Sequence, residues 1–191
     1  MKEKIILFTR VPKEGTTKTR LYDFMSPTEA VNIQRKLLKK NYDLLAETNR
    51  ELLVCHDGNS SDDKEMAELI SCDKFYYQKG DNLGDKMYNA LEEVISDSKV
   101  ILLGSDIFNL DRDIIEEAFE KLETHDIVIN PSEDGGYFLI GMKKAIKEVF
   151  DLPSYGDSSV LENLIKVLEK NNLTYYLGRA ALDIDIKEDL L

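Results

Sequence analysis

The chain has 191 residues, of which 42% are hydrophobic and 32% charged, a composition typical of one globular domain over residues 1–191. Its 25 basic and 37 acidic side chains give a formal net charge of −12. This charge argues against nucleic-acid and membrane partners, because nucleic acids and anionic membranes both bind basic faces. Two cysteines, Cys55 and Cys72, fit neither a zinc-binding spacing nor a disulfide framework. With no signal peptide or membrane-length apolar stretch, a cytoplasmic protein is expected.

Short apolar runs alternate with segments of helical spacing along the chain. The first run, residues 5–8, has the continuous apolar character of a buried strand. A helix is predicted to begin after Ser26, because Ser26, Pro27 and Glu29 match a capping box with proline in the first turn. Further strands are predicted near residues 52–55, 75–77, 100–103, 127–129, 138–140 and 174–177, and further helices near residues 62–71, 83–95, 114–122 and 158–171.

Strands that alternate with helices indicate βαβ units and a mainly parallel sheet, so the predicted fold class is α/β. Continuous apolar strands agree, because a parallel sheet is covered by helices on both faces. In an open sheet of this kind, ligands bind beside the carboxyl ends of the strands. The loops that follow the strands are therefore the places to search for functional residues.

The loop after the first strand carries a basic cluster on an acidic chain. It contains Pro12, Gly15, Lys18 and Arg20, and it lacks the Gly-Lys-Ser/Thr adjacency of a Walker A loop. Glycine permits close approach of the backbone to a ligand, and lysine and arginine bind phosphate oxygens. The segment therefore predicts a phosphate-binding loop, with a solvated basic turn as the alternative.

Asp106 follows the most apolar strand, in the sequence Gly104-Ser105-Asp106. A carboxylate at this position can hold Mg²⁺ with few protein ligands, because the ion fills its other positions with water and substrate phosphates. The alternative is that Asp106 caps the next helix. Asp111 and Asp113 lie nearer that helix and suit the capping role better.

Asp134 precedes the pair Gly135 and Gly136 at a strand end. It would approach Asp106 if their strands were neighbours, and two converging carboxylates repel unless a cation or a proton lies between them. An Asp-Gly hairpin turn is the alternative, and the residues alone favour it.

Two other polar segments are weaker candidates. Gln78 and Asp81 precede a helix and could bind a base or a sugar through hydrogen bonds, although Asp81 or Asn82 could equally be its N-cap. Asp183 and Asp185 lie near the C-terminus, where composition alone indicates solvated surface.

Taken in order, these segments resemble one bacterial family of GT-A-like glycosyltransferases in the nucleotide-diphospho-sugar transferase superfamily. The resemblance covers nearly the whole chain, and each motif is weak alone. The matching segments are Phe8-Thr-Arg-Val-Pro12-x-x-Gly15-x-x-Lys18-Thr19-Arg20-Leu21, Gln78-x-Gly80-Asp81-x-Leu83-Gly84-x-x-Met87, Gly104-Ser105-Asp106, Pro131-x-x-Asp134-Gly135-Gly136-Tyr137-x-Leu139-Ile140-Gly141 and Asp183-Ile184-Asp185-x-x-Glu188-Asp189-Leu190.

The resemblance implies a Rossmann-like GT-A fold of three layers with a mainly parallel mixed sheet, a nucleotide-sugar or nucleotide substrate, and Mg²⁺ or Mn²⁺. It makes Asp106 and Asp134 the catalytic acids and metal ligands, with Asp185 as a third metal ligand. The implied substrate-binding and nucleotide-binding residues are Pro12, Gly15, Lys18, Arg20, Gln78, Asp81, Gly135 and Gly136. Within this set Lys18 and Arg20 are the phosphate ligands, and Asp81 lies at the nucleoside end.

Three departures from the family pattern stand out. Phe108 replaces a usual proline, Tyr155 replaces a usual tryptophan, and residues 186–187 replace a usual Thr-Pro. The second departure concerns the acceptor side, and the third concerns the role of Asp185.

The activity expected first is metal-dependent transfer of a sugar from a nucleotide-diphosphate sugar to a small acceptor. One alternative is nucleotidyl transfer like that of the 2-phospholactate guanylyltransferase group, in which an NTP loses pyrophosphate. Another is a non-catalytic domain that binds nucleotide sugars. The sequence does not specify the base, the sugar, the acceptor or the oligomeric state.

Overall fold

The computed structural model of the protein describes residues 1–181, which form a seven-stranded sheet and five α-helices. The strands are β1 Lys2–Thr9, β2 Glu51–His56, β3 Phe75–Tyr77, β4 Ser98–Gly104, β5 Ile127–Pro131, β6 Tyr137–Met142 and β7 Tyr175–Leu177. The helices are α1 Pro27–Ala46, α2 Asp63–Ile70, α3 Leu83–Val94, α4 Arg112–Lys121 and α5 Val160–Lys170. Within this part of the chain, no helix combines the length and apolar character needed to span a bilayer.

The strand order across the sheet is β3-β2-β1-β4-β6-β5-β7. β1 pairs in parallel with β2 and β4, β2 with β3, and β5 with β7, whereas β6 is antiparallel to its neighbours β4 and β5. The predicted Rossmann-like α/β class with a mainly parallel mixed sheet is therefore confirmed.

The sheet has an apolar layer on each face because side chains alternate along its strands. In β1, Ile5 and Leu7 pack on one face, and Ile6 packs on the other. Helices α1, α2 and α4 cover the first face, and α3 and α5 cover the second. Burial of each such side chain stabilises the fold by about 1.5–3 kcal/mol, so the helices are held as two outer layers.

Helix α1 begins where the sequence predicts. Ser26 is its N-cap, and the side chains of Ser26 and Glu29 bond each other's backbone N–H groups. The Ser26 hydroxyl also donates to Glu29 Oε2 at 2.7 Å, and this bond together with the one from the Ser26 N–H stabilises the ionised carboxylate and lowers the pKa of Glu29. The capping box therefore fixes the start of the helix that later braces the sheet edge.

The direction of β6 decides which loops meet at one edge of the sheet. Strands β1, β2 and β4 end at that edge, and the antiparallel β6 begins there, since Leu103 pairs with Leu139. The turn between β5 and β6, residues 132–136, therefore lies at the same edge as Asp106, which follows β4.

Asn41 on α1 fixes the turn that presents Asp106. Its side chain is fully buried, and Nδ2 donates to the carbonyl oxygens of Ser105 at 3.0 Å and Ile107 at 2.9 Å. Its Oδ1 is buried without a hydrogen-bond partner among the described residues. A buried oxygen without a partner lowers stability. The Asn41 side chain therefore donates to the two carbonyls that flank Asp106, while its own acceptor oxygen is left unpaired.

A chain of side-chain hydrogen bonds joins this turn to β1. Gln34, also on α1, donates from Nε2 to Ser105 Oγ at 2.9 Å, and Ser105 Oγ lies 2.7 Å from Thr9 Oγ1. Thr9 Oγ1 donates to the carbonyl of Arg10 at 3.0 Å, so the Ser105 hydroxyl is the donor to Thr9. All three linked side chains are buried. The ends of β1 and β4 are therefore joined directly by Thr9 and Ser105, and Gln34 ties α1 to the same junction.

Replacing Asn41 by leucine should destabilise the fold by about 2 kcal/mol, because two buried carbonyls lose their donors while the unpaired oxygen is also removed. Amide exchange at residues 105–108 should accelerate. Urea unfolding and hydrogen-exchange mass spectrometry measure both effects. Asn89→Leu is the control, because the half-buried Asn89 amide donates to one carbonyl, that of Lys79, at 2.8 Å. Equal losses in the two variants would contradict the bracing role.

Replacing Gly84 by alanine should also destabilise the fold. A Cβ at Gly84 would lie 2.1 Å from the backbone oxygen of Phe150 and 3.0 Å from the Tyr155 side chain. Overpacking of this kind costs about 1–3 kcal/mol, which exceeds the gain of up to about 1 kcal/mol in helix propensity. Thermal unfolding measures the change, with Glu93→Ala on the same helix as an exposed control. A stabilised Gly84→Ala protein would contradict the packing shown.

Candidate functional site

A cleft of about 740 Å³ opens at the carboxyl edge of the sheet. Its walls come from the loop after β1, the turn after β4, the loop between β3 and α3, and the first turn of α3. The described side chains that line it are Phe8, Thr9, Arg10, Thr16, Thr17, Lys18, Thr19, Arg20, Gln34, Asp57, Gln78, Asp81, Asn82, Leu83, Lys86, Ser105 and Asp106.

The charge of the cleft differs from that of the whole chain. Among the described residues, four positive and three negative side chains line it, whereas the full chain carries −12. The positive side chains are those of Arg10, Lys18, Arg20 and Lys86, and the negative ones are those of Asp57, Asp81 and Asp106. A local excess of positive charge on an acidic protein favours an anionic ligand at this position.

The loop after β1 folds back on itself and turns Lys18 towards the cleft. Lys13 N–H donates to Thr17 Oγ1 at 2.9 Å, and Thr17 N–H donates to the Lys13 carbonyl at 3.1 Å. Gly15 and Lys18 have φ values of 83° and 46°, in the left-handed region. This conformation costs a lysine more than a glycine, so the surrounding bonds must hold it. Gly15 itself shapes the exposed turn and does not line the cleft.

Two contacts from the β2 side anchor the same loop. Asp57 Oδ1 accepts the N–H of Val11 at 2.8 Å, and Asp62 forms an ion pair with Lys13. This pairing lowers the pKa of Asp62 and raises that of Lys13. The loop is therefore tied to the β2–α2 connection at two points.

His56, the last residue of β2, stabilises the β2–α2 connection through hydrogen bonds. It is fully buried, and its Nδ1 accepts the N–H of Gly58 at 3.1 Å. The proton therefore lies on Nε2, which is 3.2 Å from Asp63 Oδ1. Tyr77 donates to the other Asp63 oxygen at 2.7 Å. His56 is thus committed to structural hydrogen bonds behind the cleft.

Lys18 and Asp106 meet across the cleft. Lys18 Nζ lies 3.4 Å from Asp106 Oδ2, and the Lys18 side chain is only 3% exposed, whereas that of Asp106 is 36% exposed. A buried ammonium is costly unless it is paired. The carboxylate at the end of β4 therefore stabilises the inward position of the lysine, and it keeps a face open to the cleft.

The β3–α3 side of the cleft offers polar and apolar surface. Gln78 donates from Nε2 to the carbonyls of Thr9 at 2.9 Å and Cys55 at 3.4 Å. A ligand contact from Gln78 would thus come from its amide oxygen. Asp81 lines the cleft, and Leu83 is 44% exposed there. This wall suits a ligand that has both hydrogen-bond donors and an apolar face.

Asp134 occupies a tight turn between β5 and β6, as the hairpin alternative anticipates. Its Oδ1 accepts from Ser132 Oγ at 2.5 Å and from Gly136 N–H at 3.0 Å. Gly135 has a φ of 90°, and a Cβ there would lie 2.4 Å from the Ser158 carbonyl oxygen. The glycine is therefore required by a close backbone approach. Asp134 lies at the same sheet edge as Asp106 without lining the cleft.

The structure brings together five of the predicted site residues: Lys18, Arg20, Gln78, Asp81 and Asp106. Five others do not line the cleft, and these are Pro12, Gly15, Asp134, Gly135 and Gly136. Asp185 lies outside the described residues. The predicted alternatives at two helix starts are resolved, because Asn82 caps α3 and Asp111 caps α4. Asp106 is thereby left without the capping role.

Several residues of the site were missed by the sequence interpretation. Gln34 and Asn41 are seven residues apart on the buried face of α1, where apolar side chains are expected. A polar residue at such a position is the feature that could have identified them. Arg10 lines the cleft and stands in the matching segment 8–21, but it was not singled out as a site residue. Asp57 and Lys86 also line the cleft and occupy no specified position of a matching segment.

The described residues fit a divalent cation only in part. They contain no group of three or more histidine, cysteine or acidic side chains that could hold a metal ion alone. Asp106 offers one carboxylate with an open face, and Mg²⁺ accepts one or two carboxylates when substrate phosphates complete its shell. The donor set is therefore suited to a cation shared with a phosphorylated ligand.

Cys55 is not a candidate nucleophile. It is buried in the sheet, and burial raises the pKa of its thiol to about 12. Cys55 packs instead as a small hydrophobic residue in the core.

Among curated proteins, the chain is 30% identical over 200 residues to the 2-phospho-L-lactate guanylyltransferase of Methanocaldococcus jannaschii, covering 100% of this chain and 81% of that protein. The corresponding protein of Methanocaldococcus vulcanius is 29% identical over 192 residues, with 97% and 82% coverage.

Among solved structures, a provisionally assigned nucleotide-diphospho-sugar transferase from Desulfovibrio desulfuricans G20 has a TM-score of 0.91 and 27% identity, covering 100% of this chain and 85% of that one. The 4-diphosphocytidyl-2C-methyl-D-erythritol synthase of Anaerococcus prevotii has a TM-score of 0.62 at 11% identity, with 98% and 93% coverage, and it shows the fold alone.

The family described as "Uncharacterized protein conserved in bacteria (DUF2064)" matches residues 39–157, which include the α3 motif, Asp106 and the β5–β6 turn. Because this match spans more than half of the chain, the protein belongs to the DUF2064 family, and its fold is that of the nucleotide-diphospho-sugar transferases.

Proposed function

We propose that the protein is a nucleotidyltransferase that transfers a nucleoside monophosphate from an NTP, with GTP as the first candidate, to a small phosphorylated acceptor. The observation that carries this proposal is the ion pair between the inward-pointing Lys18 and Asp106, which follows the carboxyl end of β4. The pair lies in a cleft whose lining has an excess of positive charge. The M. jannaschii relative, which aligns with the whole chain, is named for guanylyl transfer to 2-phospho-L-lactate.

The proposed reaction breaks one phosphoanhydride bond. An acceptor phosphate oxygen attacks the α-phosphorus, a new P–O bond forms, and the bond to the β-phosphate breaks. Pyrophosphate leaves with the bonding electrons. Negative charge grows on that leaving group, so donors fixed near it lower the barrier. Lys18 and Arg20, on the loop after β1, are the cations proposed to stabilise it.

The loop can provide this stabilisation without rearranging during the reaction. Its backbone is fixed by the Thr17–Lys13 turn and by the Asp57 bond to Val11 N–H. Preorganised charges avoid the cost of reorienting dipoles as the reaction proceeds. Mg²⁺ or Mn²⁺ would be held by Asp106 together with the phosphates, where it supplies Lewis-acid stabilisation of charge on the phosphoryl oxygens.

A second candidate, glycosyl transfer, is favoured by one observation. The D. desulfuricans protein, described as a nucleotide-diphospho-sugar transferase, matches the whole chain at a TM-score of 0.91. The same cleft would then hold the diphosphate of a nucleotide sugar. The family resemblance of the sequence had made glycosyl transfer the activity expected first. Because the curated relatives are named as guanylyltransferases, nucleotidyl transfer is now placed ahead of it.

The products distinguish the two candidates. Purified protein is incubated with Mg²⁺, each NTP or nucleotide sugar in turn, and 2-phospho-L-lactate as the first acceptor, and the products are followed by phosphorus NMR. Nucleotidyl transfer releases pyrophosphate and leaves a nucleoside monophosphate on the acceptor. Release of a nucleoside diphosphate from a nucleotide sugar would instead support glycosyl transfer. Tight nucleotide binding with turnover of neither would contradict both and support a binding domain.

Substitution Asp106→Asn should lower metal-dependent turnover at least about 100-fold, because the charged metal ligand becomes a neutral amide of similar size. The protein should stay folded with a modest loss of thermal stability, because the buried Lys18 ammonium exchanges a carboxylate partner for a neutral amide oxygen. Steady-state kinetics at saturating Mg²⁺ measures the loss.

The control is Asp113→Asn, which removes the same charge from the exposed first turn of α4, away from the cleft. Its turnover should match that of the unmodified protein. Unchanged turnover in Asp106→Asn would remove Asp106 from the proposed metal site.

A further inference from the structure

We propose that Lys18 acts as a resident counter-cation that keeps free divalent metal off Asp106 until a nucleotide arrives, so that metal and nucleotide enter the site together. The inference rests on the proposed function, because it takes Asp106 as the metal ligand and Lys18 as a phosphate ligand. It adds an order of binding to that assignment.

The geometry of the pair supports this role. Lys18 Nζ lies 3.4 Å from Asp106 Oδ2. This oxygen belongs to the carboxylate that is proposed to bind the metal. The lysine side chain is 3% exposed, and its left-handed backbone is held by the fixed turn of the loop. The ammonium therefore occupies a set position beside the carboxylate, unlike a mobile surface lysine that moves aside easily.

Electrostatics then disfavour metal binding without a nucleotide. A divalent ion on Asp106 would place two positive charges within a few ångströms of the ammonium, and like charges repel strongly where water is partly excluded. The described residues provide no cluster of three acidic or histidine ligands to offset this repulsion. Free metal should thus bind weakly.

A triphosphate removes the obstacle. Its oxygens supply several negative charges and complete the shell of the metal, which one carboxylate cannot do. The ammonium then gains phosphate oxygens as partners and stays inside the site. The same lysine therefore opposes the free metal and favours the metal–nucleotide complex.

The test uses Lys18→Met, which removes the charge and keeps an unbranched apolar side chain in a buried position. Binding of free Mn²⁺ is measured by calorimetry and by the paramagnetic effect of the ion, without nucleotide. Removing the ammonium should tighten Mn²⁺ binding by roughly tenfold. Binding of Mn²⁺–GTP should weaken in the same variant. A merely structural lysine would not move the two affinities in opposite directions.

Two controls keep the result specific. Lys13→Met removes the same charge from the same loop, but Lys13 pairs with Asp62 and lies outside the cleft lining, so free Mn²⁺ affinity should be unchanged. The double variant Lys18→Met, Asp106→Asn should lose the gain in affinity, because the gain arises at Asp106. Circular dichroism and thermal unfolding identify folded variants before titration.

Several outcomes would overturn the inference. These are an unchanged or weaker affinity of Lys18→Met for free Mn²⁺, an equal gain in Lys13→Met, and a gain that persists without Asp106. The proposed function fails separately, if the unmodified protein releases no pyrophosphate from any NTP. Pyrophosphate release together with unchanged Mn²⁺ affinity in Lys18→Met would overturn the order of binding alone.

Discussion

The contact between Lys18 and Asp106 joins the two loops on which the cleft depends. One loop follows β1 and the other follows β4, and these strands are neighbours in the sheet. Each partner is held independently, since Asn41 braces the turn after β4 and Asp57 holds the loop after β1. The Lys18–Asp106 pair therefore forms because the backbone of each loop is already held in place by other hydrogen bonds. Its geometry does not depend on freely moving surface side chains.

The charge distribution also shows how an acidic chain can form a cleft that is suited to an anionic ligand. The net charge of −12 is spread over the surface, whereas the cleft concentrates lysine and arginine at the carboxyl edge of the sheet. The layered core makes this concentration possible. Continuous apolar strands such as β4 carry the chain to the edge, and polar residues begin where the strands end. The nucleotide of the proposed function would lie at that edge.

Much of the fold could be predicted from the sequence, because strand and helix periods depend on local residue order. The capping box at Ser26 and the apolar run of β4 each located an element correctly. The site was less predictable, because it depends on which strands become neighbours. The antiparallel insertion of β6 brings the β5–β6 turn to the edge near Asp106, and no local pattern gives that order. The role of Asn41 was missed because the sequence around a polar residue on an apolar helical face does not indicate its hydrogen-bond partner. That partner, the carbonyl of Ser105, lies 64 residues away.

The most direct test of the account is a crystal structure of the protein with Mn²⁺ and a non-hydrolysable GTP analogue, with the metal located by its anomalous signal. The account predicts a metal peak within coordination distance of the Asp106 carboxylate, at about 2.1 Å for an ion of this kind. It also predicts phosphate oxygens in contact with Lys18 Nζ. A metal bound elsewhere, or a nucleotide whose phosphates lie away from the loop after β1, would contradict it.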